Sequence, residues 1–504
     1  MKLYTARQAH DVDTLAINKI GIPSLVLMEH AARGIVEELE LRFCSLCAHK
    51  FIVLYGPGNN GGDALAVARM LLLKGAEVII VEALAKPKTQ DCKKEMHILL
   101  ETDKFMHSLN KIKPEKVSKY IDDSCIVIDG VFGTGFKSSN KIDKKIKKLF
   151  EVASEAPYVV AVDVPSGVDV DTGVAAEWAL TADLTVTFAL PKVGLYVSPG
   201  AVHSGEVVVK ELYTLANPST TPYELLDADN VRNLFWSLRR KKESNKGSYG
   251  HVLIISPELG MEGAVTLCAT AALKSGAGLV SIAAVNEDAK GLRKRMPKLP
   301  PEIMVKDFDI KTINKYSVVV VGPGYGKKRK KELKDIIHNV KGPLVIDADA
   351  LNIISEEAGL LSLVSKNKNA ILTPHPGEMA RLANIKDVQI QRLNVLKLFV
   401  MENDLNVILK GYMSLIGSRE GKIFVNPTGN PGLSKGGSGD VLSGMIAAFC
   451  AQGLSIVDAG LAGAYIHGLC ADMLVEEGVS VLTITPTDIV EEIGNALKCL
   501  IKNL

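Results

Sequence analysis

Three apolar runs in the first half of the chain are each followed by glycines, a carboxylate and other oxygen-bearing side chains. The runs are "FIVLY", "CIVI" and "YVVAV". The residues that follow them are Asn59, Asn60 and Asp63 after the first, Asp129, Gly133, Thr134 and Gly135 after the second, and Asp163, Ser166, Gly167 and Asp169 after the third. Because parallel strands end at one edge of a sheet, we expect these residues to lie together. Their oxygens suit a cation or a hydroxylated ligand.

The first of these loops also fits a second pattern. Gly56, Gly58 and Gly61 have G-x-G-x-x-G spacing after the first run, and Glu82 follows about 20 residues later, as in dinucleotide-binding folds. Such a loop works mainly with bare backbone, whereas this one adds two carboxamides and an aspartate. From the residues alone, a dinucleotide fold and a cation or hydroxylated-ligand site both stay open, and the second is favoured.

The second half carries a different glycine-rich loop, "NPTGNPGLSKGGSGDVLSG". Its glycines 436, 437 and 439 precede Asp440, and a helical pattern follows. Backbone N–H groups at a helix start can stabilise a transferring phosphoryl group, and the aspartate can take a proton from an attacking hydroxyl. No G-x-x-x-x-G-K-[ST] motif occurs, which excludes a P-loop protein. A turn that only caps a helix is the alternative.

The composition is that of a globular enzyme. The 504 residues are 47% hydrophobic, and the formal net charge is +2, which gives no reason to expect nucleic acid or an anionic membrane as a partner. No stretch approaches the ~18 apolar residues of a membrane span, and the start lacks the apolar core of a signal peptide. We therefore expect a soluble, cytoplasmic protein.

Short Val/Ile-rich runs alternate with charged helical patterns in both halves, which predicts an α/β fold with parallel sheets covered on both faces. A polar, turn-rich stretch separates the halves. We place the boundary near residues 215–230 and predict two domains, 1–218 and 225–504. The pair Cys44 and Cys47 is a weak signal for a metal or redox role, and packing of the thiols is the alternative.

The first half resembles the NAD(P)H-hydrate epimerase family in the motifs "LMEHAARG", "GPGNNGGD", "DGVFGTG", "VDVPSGVD" and "ADLTVTFALPKVG". The resemblance implies a Rossmann-like α/β/α sandwich that binds the hydrated dinucleotide NAD(P)HX beside a potassium ion. The implied substrate residues are Asn59, Asn60, Gly61, Gly62, Asp63, Gly133, Thr134, Gly135, Phe136, Lys137, Ser138, Ser139 and Asp163. The implied potassium ligands are Asn60, Asp129 and Ser166.

We hypothesise that Asp163 is the acid/base group for inversion at C6 of the hydrated ring. The role of Lys192, in "ALPKVG", stays open. Ala64 departs from the family pattern, which usually has Gly after "NNGGD", and its methyl could narrow the contact with the ligand.

The second half resembles the ADP- or ATP-dependent NAD(P)H-hydrate dehydratase family, a branch of the ribokinase-like fold. The motifs are "GSYGHVLII", "ALKSGAGLV", "VVGPGYG", "VIDADALN", "LTPHPGEMARL" and "GLSKGGSGDVLSGMIAAFCAQG". The implied substrate residues are Ala264, Gly324, His375 and Asp440, and the implied nucleotide residues are Lys410, Gly411, Tyr412, Met413, Ser414 and Gly439. Mg²⁺ with ADP or ATP would supply the phosphoryl group, and Asp440 would be the base. "PELGMEG" departs from the family's Gly-rich turn after "HVLIIS".

Together the two resemblances imply a bifunctional repair enzyme and, from family habit, a homo-oligomer (tetramer or larger). One domain would interconvert the R and S epimers of NAD(P)HX, and the other would dehydrate the S form to NAD(P)H while ADP or ATP is cleaved to AMP or ADP and phosphate. A small-molecule kinase is the enzymatic alternative. A nucleotide- or partner-binding module without turnover in the first half is the non-enzymatic one.

Overall fold

The chain folds into two compact units, Lys2–Thr221 and Met1 with Pro222–Leu504. The structure is a computed structural model and describes residues 1–138, 142–212, 220–238, 240, 242–255, 257–285 and 288–501. The predicted boundary region overlaps residues 213–219, which lie outside this range, so the limits 1–218 and 225–504 stay predictions.

The N-terminal unit contains a parallel sheet with the order β4-β3-β2-β5-β6-β7-β8. β1 (Lys2–Leu3) precedes this sheet and is not part of it. The strands of the sheet are β2 (Lys50–Tyr55), β3 (Glu77–Glu82), β4 (Leu109–Ile112), β5 (Cys125–Gly130), β6 (Tyr158–Val162), β7 (Leu184–Phe188) and β8 (Glu206–Lys210). The helices are α1 (Ala6–Leu15), α2 (Ser24–Arg42), α3 (Asn59–Leu73), α4 (Gln90–Met106), α5 (Lys144–Ala153) and α6 (Gly200–Ser204).

Both faces of this sheet are covered, which explains why its central strands are apolar throughout. Phe51 and Val53 of β2 face a core built with α2 and α3, whereas Ile52 and Leu54 face a second core that includes Phe150 of α5. The predicted α/β/α sandwich is therefore confirmed. The edge strands β4 and β8 were not predicted. β4 has polar residues at its centre, and β8 has only three valines between charged residues.

The C-terminal unit contains a larger, mainly parallel sheet with the order β9-β18-β17-β16-β15-β14-β13-β10-β11-β12, in which β17 is antiparallel to both of its neighbours. The strands are β9 (Tyr223–Leu225), β10 (His251–Ile255), β11 (Leu279–Ala284), β12 (Met304–Asp307), β13 (Val318–Val321), β14 (Leu344–Ile346), β15 (Ala370–Leu372), β16 (Asn406–Leu409), β17 (Ser414–Gly417) and β18 (Ile423–Asn426). The helices are α7 (Ala228–Leu234), α8 (Glu262–Lys274), α9 (Ala289–Arg295), α10 (Lys330–Asn339), α11 (Ala348–Glu356), α12 (Leu360–Val364), α13 (Pro376–Ala383), α14 (Arg392–Asn403), α15 (Ser438–Ala451), α16 (Ile456–Glu476) and α17 (Pro486–Leu500).

Helix α15 is buried along most of its length and packs against α8, α16 and α17. Small residues allow this close approach: a Cβ on Gly444 would lie 2.1 Å from the Cys268 carbonyl oxygen of α8, and one on Gly463 of α16 would lie 2.7 Å from Ile446. The packing fixes the glycine-rich loop that precedes α15. Among the described residues, no helix is long and apolar enough to cross a membrane.

Candidate active sites

A cavity of about 550 Å³ opens at the carboxyl edge of the N-terminal sheet. The loops after β2, β5 and β6 contribute to it, as the spacing of the polar residues predicted, and the loop after β7 contributes as well. The implied substrate residues that line it are Asn59, Asn60, Asp63, Gly133, Thr134, Gly135, Phe136 and Asp163.

The structure does not place the other five implied substrate residues in the lining of this cavity. Gly61 and Gly62 are buried in the first turn of α3, beneath the loop. Lys137 points to Asp171, with its Nζ 2.7 Å from the carboxylate, and neither it nor Ser138 lines the cavity. Ser139 lies outside the described residues. The structure therefore brings the two loops together but does not place every implied residue at the cavity.

The loop glycines serve packing within the protein. A Cβ on Gly56 would lie 2.1 Å from the Val131 carbonyl oxygen, and one on Gly130 would lie 2.4 Å from the Cβ of Ala64. Ala64 is fully buried, so its methyl group packs toward Gly130 and leaves the cavity unchanged. Glu82, the acid of the dinucleotide pattern, accepts a hydrogen bond from the Tyr55 hydroxyl at 3.2 Å and does not line the cavity.

Asp163 and Lys192 form an ion pair in the cavity, with 2.6 Å between Nζ and Oδ1. Lys192 is almost fully buried and also donates to Thr187 Oγ1 and to the Phe188 carbonyl. Asp163 has a φ of 65°, a left-handed backbone conformation that is uncommon outside glycine and concentrates at functional sites. Lys192, whose role the sequence left open, therefore fixes the position of the Asp163 carboxylate.

Helix α1 contributes two side chains that sequence reasoning missed, since His10 and Asp13 also line the cavity. Burial raises the pKa of Asp13, and the charge of Asp163 adds to the effect although Lys192 opposes it. Burial, then repulsion from Asp163 and Asp13, holds the pKa of Asp63 well above its usual range. The cavity thus combines an ion-paired carboxylate with two carboxyl groups that bind protons more readily.

Asp129 and Ser166, two of the three implied potassium ligands, are in direct contact. Asp129 is fully buried and accepts hydrogen bonds at 2.7 Å from both the backbone N–H and the hydroxyl of Ser166. Burial raises the pKa of Asp129 to about 6, although these hydrogen bonds lower it. Asn60 donates through Nδ2 to the Phe132 carbonyl at 2.8 Å, which orients its amide. A buried carboxylate beside carbonyl, amide and hydroxyl oxygens fits a hard monovalent cation.

The C-terminal unit has its own cavity of about 560 Å³. The implied nucleotide residues that line it are Lys410, Gly411, Tyr412, Ser414 and Gly439, and His375 of the implied substrate set joins them. Met413 does not line it, and neither do Ala264, Gly324 and Asp440. Ala264 and Gly324 are nevertheless neighbours, because a Cβ on Gly324 would lie 3.3 Å from that of Ala264.

The glycine-rich loop ends where α15 begins, at Ser438. Gly437 caps the helix with a φ of 101°, and a Cβ there would lie 2.7 Å from Leu267, so glycine is required. Asp440 lies in the first turn. A Cβ on Gly439 would lie 3.0 Å from Lys410 Nζ, which places the helix start beside this ammonium group. The N–H groups of the turn and Lys410 form a positive surface suited to phosphate.

A buried carboxylate that sequence reasoning missed organises this site. Asp347 accepts hydrogen bonds from Lys410 Nζ at 2.9 Å and from the Ser443 hydroxyl at 2.8 Å. Burial, then repulsion from Asp347, raises the pKa of Asp440 to about 7. Asp440 can therefore exchange a proton near neutral pH, as a general base must. Asp347 follows β14 directly in "VIDADALN", so its place at a strand end was a usable signal.

Two further side chains shape the loop after β16. Arg392 is almost fully buried and donates to the backbone carbonyls of Leu409, Lys410 and Tyr412. His375 caps α13 by accepting from the backbone N–H groups of Gly377 and Glu378 through Nδ1. Burial and the nearby Lys410 lower the pKa of His375, so it serves the cavity as a neutral ring.

Known families match each unit separately. A family model described as "YjeF-related protein N-terminus" matches residues 24–194, and one described as "NAD(P)H-hydrate dehydratase" matches residues 252–495. The bifunctional NAD(P)H-hydrate repair enzyme Nnr of Moorella thermoacetica is 36% identical over 496 residues, which cover 94% of this chain and 92% of that protein. This chain belongs to the bifunctional NAD(P)H-hydrate repair enzyme family.

The family extends across distant organisms. The enzyme of the same name from Coxiella burnetii is 34% identical, with 94% of this chain and 95% of that protein covered. A solved ADP/ATP-dependent NAD(P)H-hydrate dehydratase from Bacillus subtilis, co-crystallised with ATP and Mg²⁺, is 26% identical over 55% of this chain and 98% of its own, with a TM-score of 0.46. Membership confirms the predicted family, the fold class of both domains and the enzymatic nature of the chain.

The two closely spaced cysteines of the N-terminal half lie at the surface. Cys44 and Cys47 are exposed free thiols, and the described residues contain no group of three or more His, Cys, Asp or Glu side chains arranged to hold a metal. Packing of these two thiols, the alternative at the sequence level, is therefore wrong.

Proposed function

We propose that this chain repairs hydrated nicotinamide dinucleotides with two active sites, one in each unit. The N-terminal site epimerises R- and S-NAD(P)HX, and the C-terminal site dehydrates S-NAD(P)HX to NAD(P)H with ADP or ATP as the phosphoryl donor. The observation that carries the proposal is that each unit has a cavity beside a candidate acid/base carboxylate, Asp163 in the first and Asp440 near the second.

In the epimerase site, Asp163 is the proposed acid/base group at the hydroxyl-bearing C6. Inversion requires the C6–O bond to break with a proton delivered to the leaving oxygen, and water to add to the other face as it loses a proton. Lys192 holds the Asp163 carboxylate in place, and Phe188 and Phe136 line the cavity that receives the ring. The loops Asn59–Asp63 and Gly133–Phe136 hold the dinucleotide.

Potassium is the proposed cofactor of this site, with Asn60, Asp129 and Ser166 as its ligands. When bound, the cation would supply positive charge to the site that receives the anionic dinucleotide. Asp129 supports the proposal because its buried carboxylate has hydrogen bonds but no cationic partner among the ion pairs of the described residues. The hydroxyl of Ser166 also accepts a hydrogen bond from the Phe132 backbone, which ties the cation site to the second substrate loop.

In the dehydratase site, Asp440 is proposed to take the proton of the C6 hydroxyl, whose oxygen then attacks the terminal phosphorus of ADP or ATP. Hydroxide is a poor leaving group. The attack converts it to a phosphate ester, from which phosphate leaves readily. The lone pair of the ring nitrogen then expels phosphate, and loss of a C5 proton restores the double bond. The N–H groups at the start of α15 and the Lys410 ammonium stabilise the charge on the transferring group.

The products separate this proposal from a small-molecule kinase. S-NADHX, ADP and Mg²⁺ should yield NADH, AMP and free phosphate in equal amounts, whereas a kinase would leave a stable phosphorylated alcohol. Absorbance of reduced nicotinamide together with phosphate release measures both. ADP consumption with no NADH formed would contradict the dehydratase assignment. The homo-oligomer and the cytoplasmic location stay predictions.

A further inference from the structure

His467 has an unusual place in the C-terminal cavity. It lies in the middle of α16, is only 7% exposed and lines the cavity. Its Nε2 is buried and has no hydrogen-bond partner. Among the described residues that line this cavity, it is the only one with such an unpaired buried side-chain atom. Buried polar atoms are nearly always paired, so an unpaired one at a cavity wall indicates a group that a ligand completes.

Three polar side chains that line the cavity with His467 are paired within the protein. Asn426 donates to the Ala464 carbonyl at 3.1 Å, and Thr428 donates to the Tyr465 carbonyl at 2.8 Å. Asn430 donates to Asp472 at 3.0 Å. These three side chains are committed to the protein, whereas His467 Nε2 has no partner.

The charge state of His467 limits what it can bind. Burial lowers its pKa to about 4, and the positive charge of Lys410 acts in the same direction, although an interaction of the ring with the Ser438 backbone opposes both. The ring is therefore neutral at physiological pH and pairs poorly with phosphate, which Lys410 and the start of α15 already serve. A neutral imidazole nitrogen instead forms hydrogen bonds with hydroxyl and amino groups.

We propose that His467 Nε2 hydrogen-bonds to a neutral polar group of the nucleoside, a ribose hydroxyl or the adenine amino group, when the adenine nucleotide occupies this cavity. The inference rests on the proposed function, which places the nucleotide there. It assigns to His467 a part in the selectivity for the nucleoside.

Calorimetric titration of Mg²⁺ and ADP into the full-length protein tests the role of His467. His467→Leu, which removes the nitrogen and keeps most of the volume, should weaken ADP binding about 3- to 10-fold, as expected for one neutral hydrogen bond. His467→Gln, whose amide reaches a similar point, should recover most of the loss. Ser275→Ala removes another unpaired buried oxygen, outside the cavity, and should leave binding unchanged.

Analogues identify the group that is bound and exclude a purely structural effect. Wild type and His467→Leu are each titrated with 2′-deoxyADP, 3′-deoxyADP and IDP. Each of these analogues lacks one of the candidate groups. The analogue that lacks the group bound by His467 should bind to wild type more weakly than ADP does. The affinity for this analogue should be the same in wild type and in His467→Leu. Equal weakening for ADP and all three analogues, or ADP binding that His467→Leu leaves intact, would overturn the proposal. Failure of wild type to bind ADP would overturn the proposed nucleotide site itself.

Discussion

The ammonium group of Lys410 lies 2.9 Å from the Asp347 carboxylate, and this ion pair is positioned beside the glycine-rich loop that leads to Asp440. Burial disfavours the protonated form of Lys410, but the negative charges of Asp347 and Glu378 outweigh that effect. The pKa of Lys410 is therefore raised. The lysine therefore stays protonated at any pH at which the enzyme works. Asp347 both anchors this charge and repels a negative charge on Asp440.

Removal of the Asp440 carboxylate should abolish dehydration and leave epimerisation intact. Loss of a general base costs about 10²- to 10⁴-fold in rate, so Asp440→Asn should form almost no NADH from S-NADHX. Absorbance of reduced nicotinamide measures this step, and chromatography of the epimers measures the other. Asp458→Asn, an aspartate in the first turn of the neighbouring helix α16, is the matched control. Full dehydration by Asp440→Asn would show that the base is assigned wrongly.

The rate of dehydration should rise as the pH increases through about 7. Asp440 has a pKa of about 7 because burial and the charge of Asp347 disfavour its ionised form, and only that form can accept a proton. Asp347→Asn removes the repulsion, so the midpoint of the pH–rate profile should move to lower pH even if the maximal rate falls. A midpoint that stays in place or moves upward would contradict the coupling of these two aspartates.

Substitution of Asp163 should have the reverse effect on the two activities. Asp163→Asn should slow epimerisation about 10²- to 10⁴-fold while S-NADHX is still dehydrated. The surface substitution Asp122→Asn is the control. Rapid interconversion of the epimers by Asp163→Asn, beyond the spontaneous rate, would remove Asp163 from the mechanism.

The stability of the same variant tests the ion pair of Asp163 with Lys192. Asp163→Asn leaves the buried Lys192 without its carboxylate, which should cost about 3–5 kcal/mol in the free energy of unfolding. In the double variant Asp163→Asn/Lys192→Met, thermal unfolding should show that much of the lost stability returns. The epimerase assay should show that activity does not return. Equal stability of wild type and Asp163→Asn would mean that the pair contributes little to the fold.

Potassium dependence should be lost with the Asp129 carboxylate. Wild-type epimerisation should increase with KCl at constant ionic strength, with choline as the replacement cation, and Asp129→Asn should respond much less. The reason is that the buried carboxylate supplies the negative charge for the cation. The dehydratase rate of the same variant controls for folding. A rate that is the same in KCl and choline chloride for wild type would contradict a potassium cofactor.

The sequence predicted the central strands and the loops at their carboxyl ends, for a physical reason. Strands buried on both faces, such as β2 and β10, read as continuous apolar runs, and the glycines and carboxylates that follow mark the edge of the sheet. The hairpin of β17 and β18 and the edge strand β12 were missed, because each strand has only four residues and its apolar run is two or three residues long.

The parts of the sites that the sequence missed depend on contacts between distant segments. His10 and Asp13 lie before the first motif, and only the packing of α1 brings them to the cavity, although their spacing of three residues places both on one helix face. Asp347 stands 63 residues from Lys410 along the chain. Both residues follow a strand directly, which places them at the same edge of the sheet, but the order of the strands that brings them into contact is not readable from the spacing.

The central claim is that one polypeptide repairs both epimers, and a single assay tests it most directly. Mixed R- and S-NADHX should be incubated with the protein, ADP, Mg²⁺ and K⁺ while the absorbance of reduced nicotinamide is followed. Chromatography resolves the two epimers at each time point. We predict that all the hydrate returns as NADH and that both epimers disappear together, faster than spontaneous epimerisation allows. Recovery of the S share alone, with R-NADHX left behind, would contradict the account.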